Sequence, residues 1–191
     1  MKLSVMGADA EPGIIIGRLH RQEEKIIEES GIPYTFLRPT AFIQNFLNIF
    51  GQTIKNQNTF YLPAGDGKVS FVDVRDIAAV AVNVLTKNRS QHENKAYDIT
   101  GRETLSFSQA AEILSKEIGK RVSYIDIPEE DARRGMKEMG MENWFIDAMM
   151  EFNNIIRAGH GPQMTTVVEQ ITGRKPILFG QFAKDHAEAL R

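Results

Sequence analysis

The chain has 191 residues, a formal net charge of -2 and no cysteine, with 42% hydrophobic and 25% charged residues. These values are ordinary for a soluble globular protein with one core, and they exclude a disordered or fibrous class. The absence of cysteine excludes disulfides, thiolate metal sites and a cysteine nucleophile, and it suits a reducing cytoplasm, where we expect the protein to be located. The small net charge predicts no broad attraction to nucleic acid. No apolar run reaches the roughly 20 residues of a membrane span, so we expect no membrane association.

The first predicted elements form a strand–helix–strand unit. Residues 2–6 are a short apolar run, which we interpret as a strand buried on both faces. A helix over residues 16–30 follows, and Gly31 and Pro33 stop it. Residues 34–37 have the composition of a second strand. A unit of this kind predicts two parallel strands joined by a crossover helix.

The apolar side chains of this helix share one stripe at 100° per residue, which we expect to face the core. The stripe contains Ile16, Leu19, Ile26, Ile27 and Ser30. Glu23 falls within it and has two interpretations. It is either a partly buried carboxylate with a raised pKa or, as we prefer, a residue over a thin part of the core that reaches solvent or Arg21.

The middle of the chain contains several capping and turn signals. Thr40 is predicted to cap a helix whose apolar residues run from Phe42 to Phe50. Residues 59–62 and 69–72 flank a Gly-Asp-Gly turn, which predicts a hairpin. Asp73 and Asp76 are expected to cap the next helix as a carboxylate variant of the capping box.

The remaining segments continue the alternation of strands and helices. They are a strand at 94–99, a helix capped by Ser106 and Gln109, a strand at 122–127, a helix opening at Pro128, an amphipathic helix ended by Gly159, a short helix at 166–172 and a final helix at 179–190. Alternation of this kind predicts an α/β fold with a parallel sheet and a helical C-terminal region. No clean domain boundary is visible, so we treat residues 1–191 as a single domain.

The sequence lacks the usual nucleotide and catalytic motifs. A dinucleotide fold needs a glycine-rich turn after its first strand, and no strand here is followed by one. The pair Gly65 and Gly67 has no third glycine, and Gly159 and Gly161 follow a helix. No P-loop, zinc motif or nucleophile elbow occurs, and we predict no metal site.

Taken together, several segments resemble the NmrA-like group of atypical short-chain dehydrogenase/reductases. The segments are His20-Arg21-x-x-Glu24, Ser30-Gly31-Ile32-Pro33-Tyr34-Thr35-x-Leu37-Arg38-Pro39-x-x-Phe42-x-x-Asn45, Val72-Asp73-Val74-Arg75-Asp76-Ile77-Ala78, Thr172-Gly173-Arg174-Lys175-Pro176 and Phe182-Ala183-Lys184-Asp185-His186. The resemblance implies a partial Rossmann-like parallel sheet with a helical C-terminal substrate-side region, NADP or NAD as cofactor, and quinone or carbonyl reduction. A cofactor-sensing regulatory role is the alternative.

Compared with that group, the chain begins at what would be the fifth strand. We therefore expect a truncated domain that lacks the first Rossmann half and its glycine-rich loop. Such a chain is expected not to bind the dinucleotide by itself. Two further possibilities follow from this expectation: a non-catalytic interaction protein or remnant of a truncated reading frame, and a fold that a separate polypeptide completes.

The resemblance also implies site residues. It places His20 near the nicotinamide ribose and the substrate, where an imidazole can relay a proton, and Glu24 one turn on could orient that ring. The alternative is a surface histidine paired with a helix glutamate. The implied cofactor-binding positions are Ser4, Met6, Pro39, Thr40, Phe42 and Asn45.

We expect a small-molecule substrate, with Phe42, Trp144 and Met149 lining its pocket. Ordinary core packing is the alternative for the methionines around Trp144, and we favour it. The outer edge of the strand that starts at Lys2 would be unpaired. An open apolar edge invites strand addition, so we expect a homo-oligomer or another partner that covers residues 2–6.

Overall fold

The computed structural model describes residues 1–87, 89–161 and 163–191. The strands of this part of the chain are β1 (Lys2–Leu3), β2 (Thr35–Pro39), β3 (Thr59–Leu62), β4 (Lys68–Val69), β5 (Lys95–Ile99), β6 (Leu105–Ser106) and β7 (Ser123–Asp126). The helices are α1 (Ile15–Glu29), α2 (Asn45–Asn48), α3 (Gly51–Gln57), α4 (Val74–Thr86), α5 (Phe107–Ile118), α6 (Glu129–Glu138), α7 (Asn143–Arg157), α8 (Val167–Thr172), α9 (Phe179–Asp185) and α10 (Ala187–Leu190), with a 3-10 turn at Arg89–His92. Over the described ranges, every helix is too short or too polar to cross a membrane.

The chain divides into two compact units. The first contains β1, α1, β2, α4, the 3-10 turn, β5 and α8, and the second contains the other helices and strands. Strands alternate with helices in the chain and pair mostly in parallel, so the predicted α/β class with a parallel sheet is confirmed.

The first unit is built on a three-stranded parallel sheet with the order β1-β2-β5. The predicted strand–helix–strand unit is therefore confirmed. β1 is shorter than predicted, but its backbone pairing continues, since Ser4 N–H donates to Leu37 O at 2.7 Å and Met6 N–H to Pro39 O at 3.0 Å. The prediction that this strand is buried on both faces is wrong, because Leu3 is 52% exposed.

The two faces of this sheet differ in chemistry. Leu37 and Ile99 belong to an apolar cluster, which is completed by Val72, Ile77, Val80 and Val84 from in and around α4 and by Val168 of α8. Successive side chains of a strand point to opposite faces. Arg38 therefore points away from that cluster, and it bonds to Glu24 of α1.

The side of helix α1 that packs on the sheet is not the side that was predicted. Its buried residues are Gly17 and Glu24, which are seven positions, or two turns, apart. The predicted apolar stripe is largely exposed instead: Leu19 is 45% and Ile26 68% exposed, and Ile16 and Ile27 are half-buried. Glu23 lies on the surface, as the preferred alternative had it, but its partner is Lys2 rather than Arg21.

Helix α4 begins as predicted at Asp73, whose carboxylate accepts from the Arg75 backbone N–H at 2.9 Å. The capping role predicted for Asp76 is wrong. This buried carboxylate accepts from Arg174 Nη1 at 2.6 Å and from the Ile177 N–H at 2.8 Å, and so ties α4 to the segment after α8.

The second unit contains two small sheets. β3 pairs in parallel with β7, and β4 pairs antiparallel with β6. The predicted hairpin is therefore wrong, because the segments around the Gly-Asp-Gly turn pair with different strands. The core is aromatic: Phe46 packs edge-on against Phe179 and Phe60, with ring centroids 4.8 Å and 5.4 Å apart.

Three further predictions about where helices begin and end have mixed outcomes. The capping box of Ser106 and Gln109 is present as predicted. The helix predicted to start at Thr40 instead begins at Asn45, and the Thr40 hydroxyl makes no hydrogen bond to any described residue. The final predicted helix is broken in two at His186.

Candidate functional site

His20 lies on α1 and contacts the side chain of Lys2 in β1. Its Nδ1 atom is 2.8 Å from the Lys2 ammonium and 3.7 Å from a Glu23 carboxylate oxygen. The side chain is about one-third exposed (32%). Burial, followed by the positive charge of Lys2, lowers the pKa of His20 below its ordinary value of 6.5, so the ring is neutral at pH 7.

The Lys2 ammonium contacts three acceptors. It donates to the Leu3 carbonyl at 3.2 Å and is 2.9 Å from Glu23 Oε2, besides its contact with His20. The hydrogen bond from Lys2 lowers the pKa of Glu23. Lys2, His20 and Glu23 thus form one small polar cluster at the outer edge of the sheet.

Glu24 is not part of that cluster. It has no exposed surface and accepts from Ser4 Oγ at 2.6 Å, from Arg38 Nε at 2.9 Å and Nη2 at 2.7 Å, and from Arg21 Nη1 at 3.2 Å. The third nitrogen of the Arg38 guanidinium, Nη1, donates to Asp9 Oδ2 at 2.6 Å. Glu24 therefore fastens α1 to the sheet.

The charges of this network stabilise one another. Burial opposes ionisation of Glu24, but the hydrogen bonds from Arg38 and Ser4 outweigh it and lower the pKa of the carboxyl. The hydrogen bond to Glu24 raises the pKa of the Arg38 guanidinium, so both partners are ionised at neutral pH. A bidentate pair of this kind fixes orientation as well as charge.

The carboxyl ends of the parallel strands bring other predicted residues together. Met6 pairs with Pro39 through its backbone, and the Thr40 N–H donates to Ile99 O at 3.0 Å. The Thr40 hydroxyl is buried without a hydrogen-bond partner among the described residues, as is Asp98 Oδ1. Burial raises the pKa of Asp98. In open α/β sheets, ligands bind at this edge.

The other predicted site residues lie elsewhere. Phe42 belongs to the first unit, where it forms a parallel bridge with Val72 and packs on the apolar cluster. Asn45 is the first residue of α2 in the second unit. Trp144 and Met149 lie on α7, also in the second unit.

Trp144 is 51% exposed and donates from Nε1 to Glu142 Oε2 at 2.6 Å. Met149 packs against a cluster of Ala132, Ile146 and Met150, which matches the favoured core-packing interpretation for this methionine. An open groove of about 580 Å³ runs along α6 and α7. It is lined by Arg133, Arg134, Lys137, Glu138, Asn143, Ile146 and Asp147. The role of Trp144 and Met149 in a substrate pocket remains a prediction.

Five residues of these clusters were absent from the predicted site: Lys2, Asp9, Arg21, Glu23 and Arg38. Arg38 is the fourth residue of β2, a strand whose five residues are all buried, and a charge at such a position signals a buried partner. The spacing of Gly17 and Glu24 by two helical turns could have identified that partner. No pattern in the sequence indicates the contact between Lys2 and His20, because it depends on the fold.

Residues 20–176 match the profile of the NmrA-like family. The chain belongs to this family. The predicted family is thereby confirmed, and the match includes His20, Glu24, Arg38 and Thr40.

Individual relatives agree with this assignment. The chain is 40% identical over 184 residues to an NAD(P)H azoreductase of Xenophilus azovorans, covering 96% of this chain and 63% of the relative. It is 26% identical, with a TM-score of 0.83, to a solved NADPH-dependent quinone oxidoreductase of Escherichia coli in complex with NADPH, covering 96% and 63% of the two chains. The negative transcriptional regulator NmrA, solved with NADP, shares the fold at 13% identity and a TM-score of 0.71.

The azoreductase and the quinone oxidoreductase are described as acting with NAD(P)H and NADPH, so the family resemblance points to NADP or NAD as the cofactor. The chain spans about three-fifths of the length of the relatives it matches (63% for the azoreductase). The prediction that the domain is truncated is not confirmed by these matches.

Proposed function

We propose that this chain supplies the substrate-side groups of an NAD(P)H-dependent oxidoreductase that reduces a quinone, a carbonyl or an azo group. The likeness to an NAD(P)H azoreductase over 96% of the chain carries this proposal. Each of these substrates accepts a hydride at an electron-poor atom and then needs a proton on oxygen or nitrogen. The protein must therefore present a proton or a hydrogen-bond donor at that atom.

His20 is the residue proposed to meet this need. It is partly exposed, neutral at pH 7 and fixed on one side by Lys2. Glu24 is proposed to act indirectly, as a positioning residue. Its hydrogen bonds from Ser4 and Arg38 hold α1, and with it His20, in place on the sheet.

The residues at the carboxyl edge of the first unit fit one end of the cofactor. The orphaned hydroxyl of Thr40 is a buried group that a nicotinamide amide or ribose hydroxyl would satisfy. Met6, Pro39 and Phe42 are proposed to line the same end. When bound, NADPH supplies the hydride, and the residues named here hold and orient it.

The pyrophosphate end of the cofactor has no comparable cradle in this sequence. Backbone N–H groups of a glycine-rich turn normally approach the phosphates, and no such turn follows a strand here. We therefore propose that this chain alone binds NADPH weakly. Calorimetry should detect no micromolar affinity, with the Escherichia coli quinone oxidoreductase as positive control. A micromolar dissociation constant would contradict the proposal.

Turnover at high cofactor concentration tests the enzymatic role itself. With NADPH at roughly millimolar concentration, near the upper end of common KM values, we expect slow NADPH oxidation with a benzoquinone or an azo dye. His20→Gln should lower the rate by about 10²–10⁴-fold, the usual contribution of a positioned proton donor. His160→Gln, at an exposed loop residue, is the control. No turnover with either acceptor would favour the non-catalytic alternative, a cofactor sensor or interaction protein.

Self-association is a further proposal. β1 is an outer strand of its sheet, and Leu3 is half-exposed. Strand addition by a second copy would cover this edge, although another partner could do the same. Light scattering at high protein concentration tests it, and a clean monomer would contradict association between copies.

A further inference from the structure

The contact between Lys2 and His20 restricts what the imidazole can do. A lysine ammonium has three N–H donors and no acceptor. Among the described residues, Lys2 Nζ contacts three atoms: the Leu3 carbonyl oxygen at 3.2 Å, a Glu23 carboxylate oxygen at 2.9 Å and His20 Nδ1 at 2.8 Å. Since the ammonium has no lone pair, it must be the donor in the contact with the ring. His20 Nδ1 is therefore the acceptor and carries no proton.

A neutral imidazole with an unprotonated Nδ1 carries its proton on Nε2. We propose that Lys2 holds His20 in this tautomer, so that the ring faces its ligand as a hydrogen-bond donor through Nε2. Over the described residues, no hydrogen bond to Nε2 is found, and the side chain is about one-third exposed (32%). The ligand atom it would meet is an oxygen or nitrogen acceptor, such as a carbonyl, quinone, azo or ribose hydroxyl group. The identity of that ligand rests on the proposed function, but the tautomer does not.

The same contact provides a source of protons. If Nε2 gives its proton to a ligand atom, Nδ1 takes one from the Lys2 ammonium in exchange. The ring then stays neutral with its proton on Nδ1, and the lysine becomes an amine. Neither an imidazolate nor an imidazolium has to form, so a neutral histidine can still act as a relay. Lys2 is a positioning residue in this scheme as well as the proton source.

The charged groups around His20 decide how its titration responds. Lys2 of β1 opposes a charge on the ring, whereas Glu23 and Glu24 of α1 favour one. Burial is the largest cause of the lowered pKa and the charge of Lys2 adds to it, so the ring stays neutral at pH 7. Removing Lys2 should therefore raise the pKa of His20 and free both ring nitrogens to carry the proton.

The test is long-range proton–nitrogen NMR of the ¹⁵N-labelled chain, without cofactor or substrate, titrated from pH 8 to pH 5. The His20 signals are assigned with His20→Gln, since the chain has four histidines. We expect the pattern of the Nε2–H tautomer at pH 7.5. Lys2→Met should give averaged signals from two tautomers and a higher pKa, and Lys2→Arg, which keeps a cationic donor, should restore the wild-type pattern. Lys25→Met, at an exposed position of α1, should change nothing.

An Nδ1–H tautomer or an imidazolium in the wild-type chain at pH 7.5 would overturn the proposal. So would a wild-type pattern in a folded Lys2→Met variant. If Lys2→Met does not fold, the wild-type spectrum and Lys2→Arg still decide the question. The measurement involves no turnover, so a failure of the proposed reductase function leaves it unaffected.

Discussion

The two faces of the sheet in the first unit are stabilised in opposite ways. On one face, Leu37 and Ile99 pack into an aliphatic cluster with α4 and α8. On the other, Arg38 and Ser4 surround the buried carboxylate of Glu24. Leu37 and Arg38 are adjacent in one strand. Leu37 thus belongs to an apolar layer on one face of the sheet, and Arg38 belongs to an ionic layer on the other.

The two layers also differ in how well they tolerate substitution. An apolar layer accepts many side chains of similar volume, and it loses stability in proportion to the volume removed. An ionic layer accepts few changes, because removing one partner leaves the other buried and uncompensated. Placing the ionic layer beneath α1 makes the position of His20 depend on a small number of directed bonds.

The largest effect is expected in the ionic layer. Glu24→Gln should lower the free energy of unfolding by about 3–5 kcal/mol, because it leaves Arg38 charged and buried without its main partner. The neighbouring substitution Glu23→Gln is the matched control. Glu23 has a 62% exposed side chain, so its loss should cost at most about 1 kcal/mol. Urea unfolding of the three proteins measures both values, and equal costs for the two variants would show that the buried network around Glu24 contributes no more to stability than a surface ion pair.

A comparable but more variable loss is expected in the apolar layer. Leu37→Ala should lower the free energy of unfolding by about 2–5 kcal/mol, because it leaves a cavity at a residue that is only 1% exposed. Leu19→Ala, at a 45% exposed position of α1, should change it by about 0.5 kcal/mol or less. The same urea series measures these variants. A large cost at Leu19 would mean that the outward stripe of α1 is covered in solution.

The smallest expected effect is a pH dependence of stability that the ionic layer has and the apolar layer lacks. The pKa of Glu24 is lower in the folded chain than its ordinary 4.5, so its contribution is present above pH 4.5 and is lost as pH falls through the folded value. The gap between wild type and Glu24→Gln should therefore narrow below pH 4.5. The gap between wild type and Leu37→Ala should stay constant. Urea unfolding between pH 7 and pH 3 measures both gaps.

Comparing differences is necessary because other groups titrate in the same range. Asp98 has a raised pKa, so it favours the folded chain as pH falls. His20 has a lowered pKa, so protonation of the unfolded chain below pH 6.5 works in the other direction. Both effects are shared by wild type and Leu37→Ala, whereas Glu24→Gln also removes the charge of Glu24, which is the smallest of the causes that set each of these two pKa values. A constant gap for Glu24→Gln would show that the pKa of Glu24 is the same in the folded and the unfolded chain, and hence that the network does not stabilise its charge.

The sequence predicted the local elements well where local signals decide them. The capping box at Ser106 and Gln109, the cap at Asp73 and the strand–helix–strand unit are all present. The two caps depend on residues that are close together in the chain, whereas the strands of the strand–helix–strand unit were indicated by local composition and pair across the crossover helix. Side chains four residues apart or fewer, together with backbone propensity, are sufficient to specify such features.

The failures have a common cause in long-range pairing. The hairpin prediction followed a good turn signal, but β3 and β4 find partners more than 30 residues away. The stripe of α1 was assigned by hydrophobicity, yet the sheet beneath the helix presents Arg38 and so selects Glu24 and Gly17. In the candidate site, His20 was found from the family resemblance, whereas its contact with Lys2 required the fold.

The bond between Asp76 and the segment near Ile177 has a consequence for synthesis. Asp76 sits in the middle of the chain, and both of its partners, Arg174 and Ile177, are made about 100 residues later. While the chain is being made, this carboxylate has neither bond that it makes in the native structure. The first unit therefore cannot complete these two hydrogen bonds until the chain has been synthesised past Ile177, and until then α4 is not attached to that segment.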